Sequence, residues 1–355
     1  MPLRFPRLDI EDGIPRGVSE KVLRSVLKKV NKDLKRKSKS DEFIVTTLGD
    51  SVFSRPRSYV SSGILPLDCV LCYGMGFPSG IIEMFGNEAS GKTAVLENTL
   101  AEAQRSGFYT VLFPTEYSLD YKRVKILHLK EEQMIIADAE TIEDVYDQIK
   151  MIVRSIREKD EETPIVIGWD SIAATPTRTE LEAKAGLDAS DMGRTALQMS
   201  KLFRRLVRFL FVKKVCLICI NQTRTNLGVM FGNKESTFGG KALKFYAWIR
   251  IRLQKTKSIE EDGENVGFIC EARTVKNKIA PPLQICKIPI YWNRGIDRTM
   301  SVWEYAIEKG VLHKKGTAYR YKNNIVTRNS FRQFYKNHRN EIDSALRASV
   351  RTNEH

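Results

Sequence analysis

A glycine-rich segment of the chain follows the pattern G-x-x-x-x-G-K-[ST], and its residues are Gly86, Asn87, Glu88, Ala89, Ser90, Gly91, Lys92 and Thr93. The apolar run IIEMFG precedes it and a helical pattern follows it, which is the context that this motif requires. The two glycines let backbone N–H groups face phosphate oxygens, Lys92 neutralises the β- and γ-phosphates, and the Thr93 hydroxyl binds Mg²⁺. The alternative is a glycine turn that binds no phosphate, but such a turn would not need a strand before it and a helix after it. The segment therefore predicts a site for a nucleotide phosphate with Mg²⁺.

Two carboxylates follow apolar runs, at positions where the ends of parallel strands converge on a ligand. Asp170 ends the run PIVIGWD, one βα unit after the phosphate loop, and is predicted to hold the water shell of Mg²⁺; a helix cap is the alternative. Glu116 ends the run YTVLFPTE, where a carboxylate can orient an attacking water. A solvated loop acid is the equal alternative for Glu116.

The stretch from 221 to 246 begins at the carboxyl end of a buried strand and contains four glycines. It mixes cationic and apolar side chains, namely Arg224, Lys234, Lys241 and Lys244 with Leu227, Val229, Met230 and Phe231. A loop that exposes the sequence VMF needs something to cover it. DNA fits, because apolar side chains can wedge between bases while cations meet phosphates, and a protein partner is the alternative. A second loop, over 181–193, could serve the same face.

The elements that must position these residues alternate between strands and helices from about residue 61 onward. This alternation predicts an α/β fold with a mostly parallel central sheet. The later runs AWIRIRLQ, VGFICEARTVKN and LQICKIPIYW lack long helices between them and are predicted to extend the sheet antiparallel. Helices are predicted over 18–37, 93–106, 141–157, 194–211 and 300–308 and from 330. The first of these is amphipathic, and with a short strand at 43–45 it must pack on the body or on another subunit.

Positive charge is concentrated at the two ends of the 355-residue chain, whose formal net charge is +15. Residues 1–40 hold 12 basic and 5 acidic side chains, and residues 311–355 hold 10 and 3, so the segment between them is nearly neutral. Basic ends suit a polyanion such as nucleic acid, and a solvated tail is the alternative. No apolar run approaches the roughly 20 residues of a membrane span, so we expect a cytoplasmic protein without a membrane partner.

Six cysteines include the pairs Cys69-x-x-Cys72 and Cys216-x-x-Cys219, a spacing that can hold zinc. The second pair lies in the strand-like run VCLICIN, where residues three apart point to opposite faces. The two pairs are also far apart in the chain. Buried, reduced thiols are therefore predicted.

Four segments, GNEASGKT, FPTEYSLD, INQTRTNLGVMFGNKESTFGGKALKFYA and VKNKIAPP, together resemble the RecA recombinase family in their order and separations. The resemblance implies a RecA-type P-loop ATPase core over 59–298, an N-terminal helix-strand polymerisation arm over 1–58 and a small basic α/β domain over 299–355. It implies an ATP-dependent recombinase that forms helical filaments on single-stranded DNA and exchanges strands with homologous double-stranded DNA in recombination and repair. The implied cofactors are ATP and Mg²⁺, and the implied further partners are mediator or single-strand-binding proteins.

By position, the resemblance makes Glu116 the residue that activates water and Gln222 the sensor that links the γ-phosphate to the DNA loop. Lys276 and Lys278 match lysines that reach the ATP of the neighbouring subunit. The matching subunit-interface residues are Phe43, Ile44, Val45 and Phe245. The first DNA loop contributes Met192, Gly193 and Arg194, and the second contributes Arg224, Thr225, Asn226, Leu227, Gly228, Val229, Met230, Phe231, Gly232, Asn233, Gly239, Gly240 and Lys241.

The chain departs from the family pattern in three places. Asp120, which matches the acid that contacts adenine, is followed by Tyr121, Lys122 and Arg123 and not by a tyrosine three residues on, so base stacking either falls to Tyr121 or Arg123 or is lost. The first DNA loop is longer by about three residues. The acidic C-terminal tail of the family is missing, which suggests a phage-encoded relative.

Two other functions are compatible with a core of this type. A filament-forming protein that coats single-stranded DNA would carry a vestigial ATPase, and the intact set Lys92, Thr93, Glu116 and Asp170 argues against it. A helicase or transport motor is disfavoured by the early polymerisation arm and by the VMF loop.

Overall fold

The computed structural model of the chain describes residues 20–37, 45, 56–117, 121–182, 189–225, 235–240 and 242–351. It has two compact units, residues 1–55 and residues 56–355. The helices are α1 (Glu20–Lys37), α2 (Leu65–Cys72), α3 (Lys92–Arg105), α4 (Tyr121–Leu127), α5 (Ile142–Arg157), α6 (Arg178–Glu182), α7 (Ala189–Val212), α8 (Ala242–Tyr246), α9 (Arg298–Glu308) and α10 (Phe331–Arg351). The strands are β1 (Tyr59–Val60), β2 (Phe77–Pro78), β3 (Gly80–Gly86), β4 (Tyr109–Phe113), β5 (Met134–Ile136), β6 (Ile165–Trp169), β7 (Val215–Thr225), β8 (Glu235–Thr237), β9 (Ile249–Glu261), β10 (Glu264–Asn277), β11 (Ile285–Tyr291), β12 (Gly295–Ile296), β13 (His313–Lys315), β14 (Ala318–Tyr321) and β15 (Asn324–Val326).

The large sheet of the second unit has the strand order β12-β11-β10-β9-β3-β7-β6-β4-β5, with β8 paired to β7. Strands β3, β7, β6, β4 and β5 are parallel, so the predicted α/β fold with a mostly parallel central sheet is confirmed. Strands β10 and β11 extend it antiparallel, as predicted, and the short strand β12, which was not predicted, pairs antiparallel with β11. The prediction is wrong for β9, which runs parallel to β3. The segment that contains β8 and α8 brings the chain back across the sheet before β9 begins, and a parallel pair needs such a crossover.

The predicted helices form with small shifts at their ends. Helix α5 begins after Thr141, whose hydroxyl accepts from the Asp144 N–H at 3.2 Å while the Asp144 carboxylate accepts from the Thr141 N–H at 3.1 Å, a capping box. Helix α7 begins at Ala189, before the predicted start at 194. A helical glycine such as Gly193 costs only about 1 kcal/mol, which neighbouring helix-forming residues can offset.

The phosphate loop joins β3, which is buried along its whole length, to helix α3. Gly91 precedes the first turn of α3 with a φ of 94°, and a Cβ atom there would lie 2.6 Å from Ile290 Cδ1. Only glycine adopts this conformation without strain and without a side chain that would collide. Gly91 thereby lets Lys92 and Thr93 open the helix at the end of the strand, where helical N–H groups can face an anion.

Neighbouring strand residues alternate between two hydrophobic clusters, one on each face of the sheet. Ile82 belongs to the cluster that includes Leu96 of α3, whereas Ile81 belongs to the cluster that includes Phe203 of α7. The first cluster continues into the C-terminal segment, where Phe331 is fully buried. The C-terminal helices and the sheet of β13, β14 and β15 therefore share a core with the large sheet. The domain boundaries at 58/59 and 298/299 stay predictions.

All six cysteines are free and buried, as predicted; they are Cys69, Cys72, Cys216, Cys219, Cys270 and Cys286. Cys216 and Cys219 belong to opposite clusters, so the two thiols of the β7 pair diverge across the sheet. Burial raises the pKa of each of the six thiols.

Helix α1 carries an apolar face whose side chains Val22, Leu23 and Val26 are exposed. The side-chain amide of Asn31 donates to the Val45 carbonyl and accepts from the Val45 N–H, both at 2.8 Å, which ties the following segment to the helix. Val45 itself is exposed, and the other two residues of the predicted interface strand, Phe43 and Ile44, lie outside the described residues.

Candidate active site

Lys92, the lysine of the phosphate loop, is buried at the start of α3. Its ammonium donates to the carbonyl oxygens of Gly86 at 3.2 Å and Asn87 at 2.7 Å. Burial lowers the pKa of Lys92, and the carboxylates of Asp170 and Glu116 oppose this shift. The neutral carbonyls that hold Lys92 are groups that a phosphate can replace, because hydrogen bonds between ionised partners are stronger.

Thr93 and Asp170 meet beside the phosphate loop. The Thr93 hydroxyl donates to Asp170 Oδ2 at 2.7 Å. Burial raises the pKa of Asp170 to about 6 and the nearby Glu116 charge adds to this, while the Thr93 hydrogen bond and Lys92 oppose it. The other carboxylate oxygen, Asp170 Oδ1, and the Ser90 hydroxyl are buried without a hydrogen-bond partner among the described residues.

Glu116 lies three residues beyond β4, and two side chains fix its carboxylate. Oε1 accepts from the Ser171 hydroxyl at 2.5 Å and from the Gln222 amide at 3.3 Å. The Glu116 N–H donates to the Asp170 carbonyl at 3.1 Å, and the Thr115 hydroxyl donates to the Ser171 carbonyl at 2.9 Å. The ends of β4, β6 and β7 therefore meet at one acid, and that acid is exposed to solvent.

Asn221 joins both ends of the loop that follows β7. Its buried side-chain amide donates to Glu83 Oε1 at 3.1 Å and to the Phe238 carbonyl at 3.0 Å, and its Oδ1 accepts from the Gln222 N–H at 2.9 Å. Strand β8 pairs back onto β7, so the root of the loop is a hairpin. Thr223, on the same strand, donates to Asn87 Oδ1 of the phosphate loop at 2.5 Å.

Glu83 is a fully buried carboxylate in the strand that leads into the phosphate loop. It forms an ion pair with Arg250 of β9, whose guanidinium lies 4.6 Å from the centre of the Phe85 ring. A buried charge needs such a partner. The sequence analysis did not single out Glu83 or Arg250. The signal that could have found them is the carboxylate inside the apolar run IIEMFG, since a buried charge needs a partner.

A cavity of about 440 Å³ is lined by residues 88–93 of the phosphate loop together with Glu116, Asp170 and Gln222. Its apolar wall is formed by Ile126, Ile220, Phe268, Ile290, Tyr291 and Trp292. The Trp292 ring is 56% exposed and lies 5.1 Å from that of Phe268, so a flat ligand can reach it. Sequence reasoning missed Tyr291 and Trp292, which end the strand-like run LQICKIPIYW.

The residues predicted to contact a base are only partly described. Arg123 lines the cavity and donates to the buried Glu97 at 3.1 Å. Asp120 lies outside the described residues, and of Tyr121 only its place at the start of α4 is described.

The match to a family model decides the relationship of this chain to known proteins: the RecA N-terminal domain matches residues 21–297. The chain belongs to the RecA family. Protein RecA of Geobacter sulfurreducens is 36% identical over 263 residues, which are 74% of this chain and 75% of that protein. Protein RecA of Ureaplasma parvum is 36% identical over 290 residues, 81% and 83% of the two chains. Protein RecA of Legionella pneumophila is 33% identical over 310 residues, 87% and 86%.

Membership of the RecA family assigns the activity. The chain is an ATP-dependent recombinase of DNA recombination and repair and a DNA-dependent ATPase, and it binds nucleotide and DNA and self-associates; filament formation is typical of the family. Within the described part of the chain, no helix combines the length and apolar character needed to cross a membrane.

Neither of the lysines that the resemblance matches to trans-acting lysines lines the cavity at the phosphate loop, and Lys278 Nζ lies 5.7 Å from the centre of the Trp248 ring. Lys276 Nζ donates to the carbonyls of Lys244 at 2.6 Å and Phe245 at 3.0 Å. Burial lowers the pKa of Lys276 to about 8, with smaller contributions from the charges of Lys278 and Arg250. Phe245 is 68% exposed, and the Lys276 ammonium is bound to its carbonyl.

The residues that match RecA-family DNA loops fall into three groups. Met192, Gly193 and Arg194 lie in the first two turns of α7, whereas the sequence predicts the first two of them in a loop. Arg224 and Thr225 end β7, and Gly239 and Gly240 follow β8 with φ values of 81° and 67°. The remaining predicted contacts lie outside the described residues; these are Asn226, Leu227, Gly228, Val229, Met230, Phe231, Gly232, Asn233 and Lys241.

Proposed function

We propose that this chain hydrolyses ATP bound with Mg²⁺ beside the phosphate loop, and that DNA bound to the loop after β7 controls this hydrolysis. One observation carries the proposal: the carboxyl ends of the adjacent strands β3, β7, β6 and β4 bring together five functional side chains, those of Lys92, Thr93, Glu116, Asp170 and Gln222. Ligands of parallel α/β sheets bind at this edge.

The polar atoms of the site fit magnesium. Asp170 Oδ1 is buried and lacks a hydrogen-bond partner among the described residues, and buried carboxylate oxygens rarely remain so. Mg²⁺ takes oxygen ligands and retains several waters, and Thr93 Oγ1 and Asp170 are the proposed residues that hold it. The ion would supply neutralisation of charge on the phosphate oxygens.

Glu116 is the proposed base. It orients the attacking water and accepts its proton, while Lys92 leaves the loop carbonyls and holds the β- and γ-phosphates. The hydrogen bonds from Ser171 and Gln222 fix the direction of the Glu116 carboxylate. Because Gln222 lies at the root of the DNA loop, a shift of that loop changes one of the two bonds that orient the base.

The apolar wall of the cavity is the proposed place for the adenine ring. Tyr291 and Trp292 offer aromatic faces there, and Ile126 and Ile290 offer aliphatic contacts. Arg123 lines the same cavity and can stack on a base, whereas contacts from Asp120 and Tyr121 rest on the resemblance alone.

Assembly into a filament is proposed to use two surfaces. The apolar side chains of α1, together with 43–45, dock on one neighbour, because an amphipathic helix needs a partner for its apolar face. On the other surface, Phe245 packs against the adjoining subunit and Lys276 and Lys278 reach its nucleotide. Such head-to-tail contacts do not close and so produce an open helix.

The DNA partners are proposed to occupy different places. Single-stranded DNA binds the loop residues between β7 and α8 and the start of α7. Homologous duplex DNA binds the basic C-terminal segment, where Lys314 and Lys315 of β13 are exposed. A cavity of about 730 Å³ in the same region is lined by four arginines, Arg294, Arg298, Arg328 and Arg332. Mediator or single-strand-binding proteins are proposed as further partners on the resemblance alone.

The experiment is to measure ATP hydrolysis with and without single-stranded DNA for the wild type and Glu116→Ala. The substitution should lower DNA-stimulated hydrolysis by roughly 10²- to 10⁴-fold, because it removes the general base. Glu161→Ala, an exposed loop acid, is the matched control and should behave as wild type. Hydrolysis that is indifferent to DNA and to Glu116→Ala would contradict the proposal.

A further inference from the structure

Strands β3 and β7 pair in parallel up to Gly86, which lies opposite Gln222. At the next position the contact continues through side chains, because the Thr223 hydroxyl donates to Asn87 Oδ1 at 2.5 Å. Asn87 is the second residue of the phosphate loop. Thr223 pairs with Thr237 of β8 in the hairpin that forms the root of the DNA loop. One hydrogen bond therefore joins the phosphate loop to the hairpin at the root of the DNA loop.

Asn87 is also tied to the group that meets the phosphates. Its carbonyl accepts from Lys92 Nζ at 2.7 Å. A nucleotide phosphate competes for the Lys92 ammonium, since a hydrogen bond between two ionised groups is stronger than one to a neutral carbonyl. Occupancy of the phosphate loop therefore removes one of the contacts that hold Asn87 and changes the position from which Asn87 meets Thr223.

This contact reaches a part of the site different from that reached by Gln222. Gln222 and Thr223 are successive residues of a strand, so their side chains leave opposite faces. Gln222 contacts Glu116, the proposed base, whereas Thr223 contacts the loop that surrounds the phosphates.

We propose that the Asn87–Thr223 hydrogen bond is a second coupling contact, which transmits occupancy of the phosphate loop to the DNA loop independently of Glu116 and Gln222. The inference rests on the proposed function and adds a positioning pair to it. Since Asn87 is exposed and Thr223 half-buried, the bond has the strength of an ordinary neutral hydrogen bond, which corresponds to about two- to tenfold in an equilibrium constant. A contact that differs between two states can shift their equilibrium only by that amount.

The test measures the affinity of the full chain for a fluorescent single-stranded oligonucleotide, with and without a non-hydrolysable ATP analogue. The ratio of the two affinities is the coupling factor, and it does not depend on hydrolysis. Thr223→Val removes the hydroxyl and keeps the shape of the side chain, and Thr223→Ser keeps the hydroxyl. Asn87→Ala and the double variant Asn87→Ala with Thr223→Val complete a double-mutant cycle.

Thr223→Val should lower the coupling factor by about two- to tenfold, and any change of its nucleotide affinity without DNA should stay within the same range, because only one neutral hydrogen bond is lost. Thr223→Ser should keep the wild-type factor, and the double variant should lose no more than Asn87→Ala alone. A wild-type factor in Thr223→Val, or additive losses in the double variant, would overturn the inference and leave the proposed function intact. A factor of one in the wild type itself would instead overturn the proposed coupling of DNA and nucleotide, and with it this contact.

Discussion

The side-chain amide of Gln222 donates a hydrogen bond to Glu116 Oε1 at 3.3 Å, although the two residues lie 106 positions apart in the chain. The same oxygen accepts from the Ser171 hydroxyl. Ser171 follows a buried strand of the sheet, whereas Gln222 belongs to the strand that enters the DNA loop. One of the two groups that direct the proposed base therefore follows a buried strand of the sheet, and the other lies on the strand that leads into the loop proposed to bind DNA.

Removal of the Gln222 amide should uncouple hydrolysis from DNA. In Gln222→Ala we expect the ratio of ATP hydrolysis with single-stranded DNA to hydrolysis without it to fall close to one, because Glu116 no longer senses the DNA loop. Steady-state hydrolysis at saturating ATP checks this, with Gln133→Ala, an exposed residue just before β5, as the control. A wild-type ratio in Gln222→Ala would contradict the role of the contact.

The Thr93 hydroxyl should determine how much Mg²⁺ the site requires. Thr93→Val removes the proposed ligand oxygen, and we expect the Mg²⁺ concentration at half-maximal nucleotide binding to rise roughly ten- to a hundredfold, as for the loss of a hydrogen bond to a charged group. Thr93→Ser keeps the oxygen and should titrate like the wild type. A magnesium titration of fluorescent-nucleotide binding distinguishes these outcomes, and equal midpoints for both variants would exclude Thr93 as a ligand.

The nucleotide-dependent association of subunits should weaken as the pH rises through the pKa of Lys276. With a pKa of about 8, this lysine is about nine-tenths protonated at pH 7 and about one-tenth protonated at pH 9. If the cation meets a phosphate of the adjoining subunit, each contact formed above pH 8 must take up a proton, so the affinity falls with rising pH.

Light scattering of nucleotide-dependent assembly at pH 7, 8 and 9 measures this effect. Lys276→Arg keeps its charge throughout and should flatten the profile. The same decline in Lys276→Arg and in the wild type would assign the pH dependence to another group.

The exposed lysines of β13 should contribute to duplex binding without supporting the fold. Replacing Lys314 and Lys315 by alanine should reduce the slope of log affinity against log salt by about two for duplex DNA, and should spare hydrolysis stimulated by single-stranded DNA. Arg332 is a contrasting case, because it pairs with the buried Asp297, which also caps α9. Arg332→Ala should therefore cost roughly 1–3 kcal/mol of unfolding free energy in addition to any effect on DNA.

Binding assays at several salt concentrations and urea denaturation separate the two classes. If the lysine variant lost affinity for single-stranded and duplex DNA equally, the two lysines would contribute to DNA binding in general and not to duplex binding in particular.

Phe331 should anchor the C-terminal segment to the core. Its fully buried ring lies 4.9 Å from that of Trp303 and 5.6 Å from that of Tyr335. Phe331→Ala should lower the free energy of unfolding by about 3–5 kcal/mol, because it leaves a cavity between aromatic rings. Ile325→Ala, on the exposed side of β15, should change it by no more than about 0.5 kcal/mol. Urea denaturation compares the two, and similar values would contradict a shared core.

Local sequence patterns predict the parallel sheet and the functional residues at the carboxyl ends of its strands. The strand, glycine loop and helix around Lys92 form as a unit because their signals lie within about twenty residues of one another. The Glu116–Gln222 approach follows from the resemblance and from the convergence of strand ends. The start of helix α7 does not follow from the local pattern, because Gly193 is typical of a break and the helix nevertheless continues through it.

Contacts between side chains of distant strands could not be predicted in the same way. The Glu83–Arg250 pair crosses 167 positions, and the Asn87–Thr223 bond crosses 136. Such pairs depend on strand register, because a slip of one residue would move every side chain of a strand to the other face of the sheet. Register is set by the packing of the whole sheet. The sequence analysis did not single out Glu83, although a carboxylate inside an apolar run is a residue that needs a partner.

The burial of all six thiols has a practical consequence for observing this recombinase at work. A thiol with a raised pKa forms little of the thiolate that reacts with maleimide dyes, and burial also blocks access to it. The natural chain therefore provides a silent background, on which a single cysteine introduced at an exposed position such as Met151 would take a fluorophore site-specifically. Energy transfer between labelled copies could then follow the spacing of subunits without any of the native cysteines being replaced.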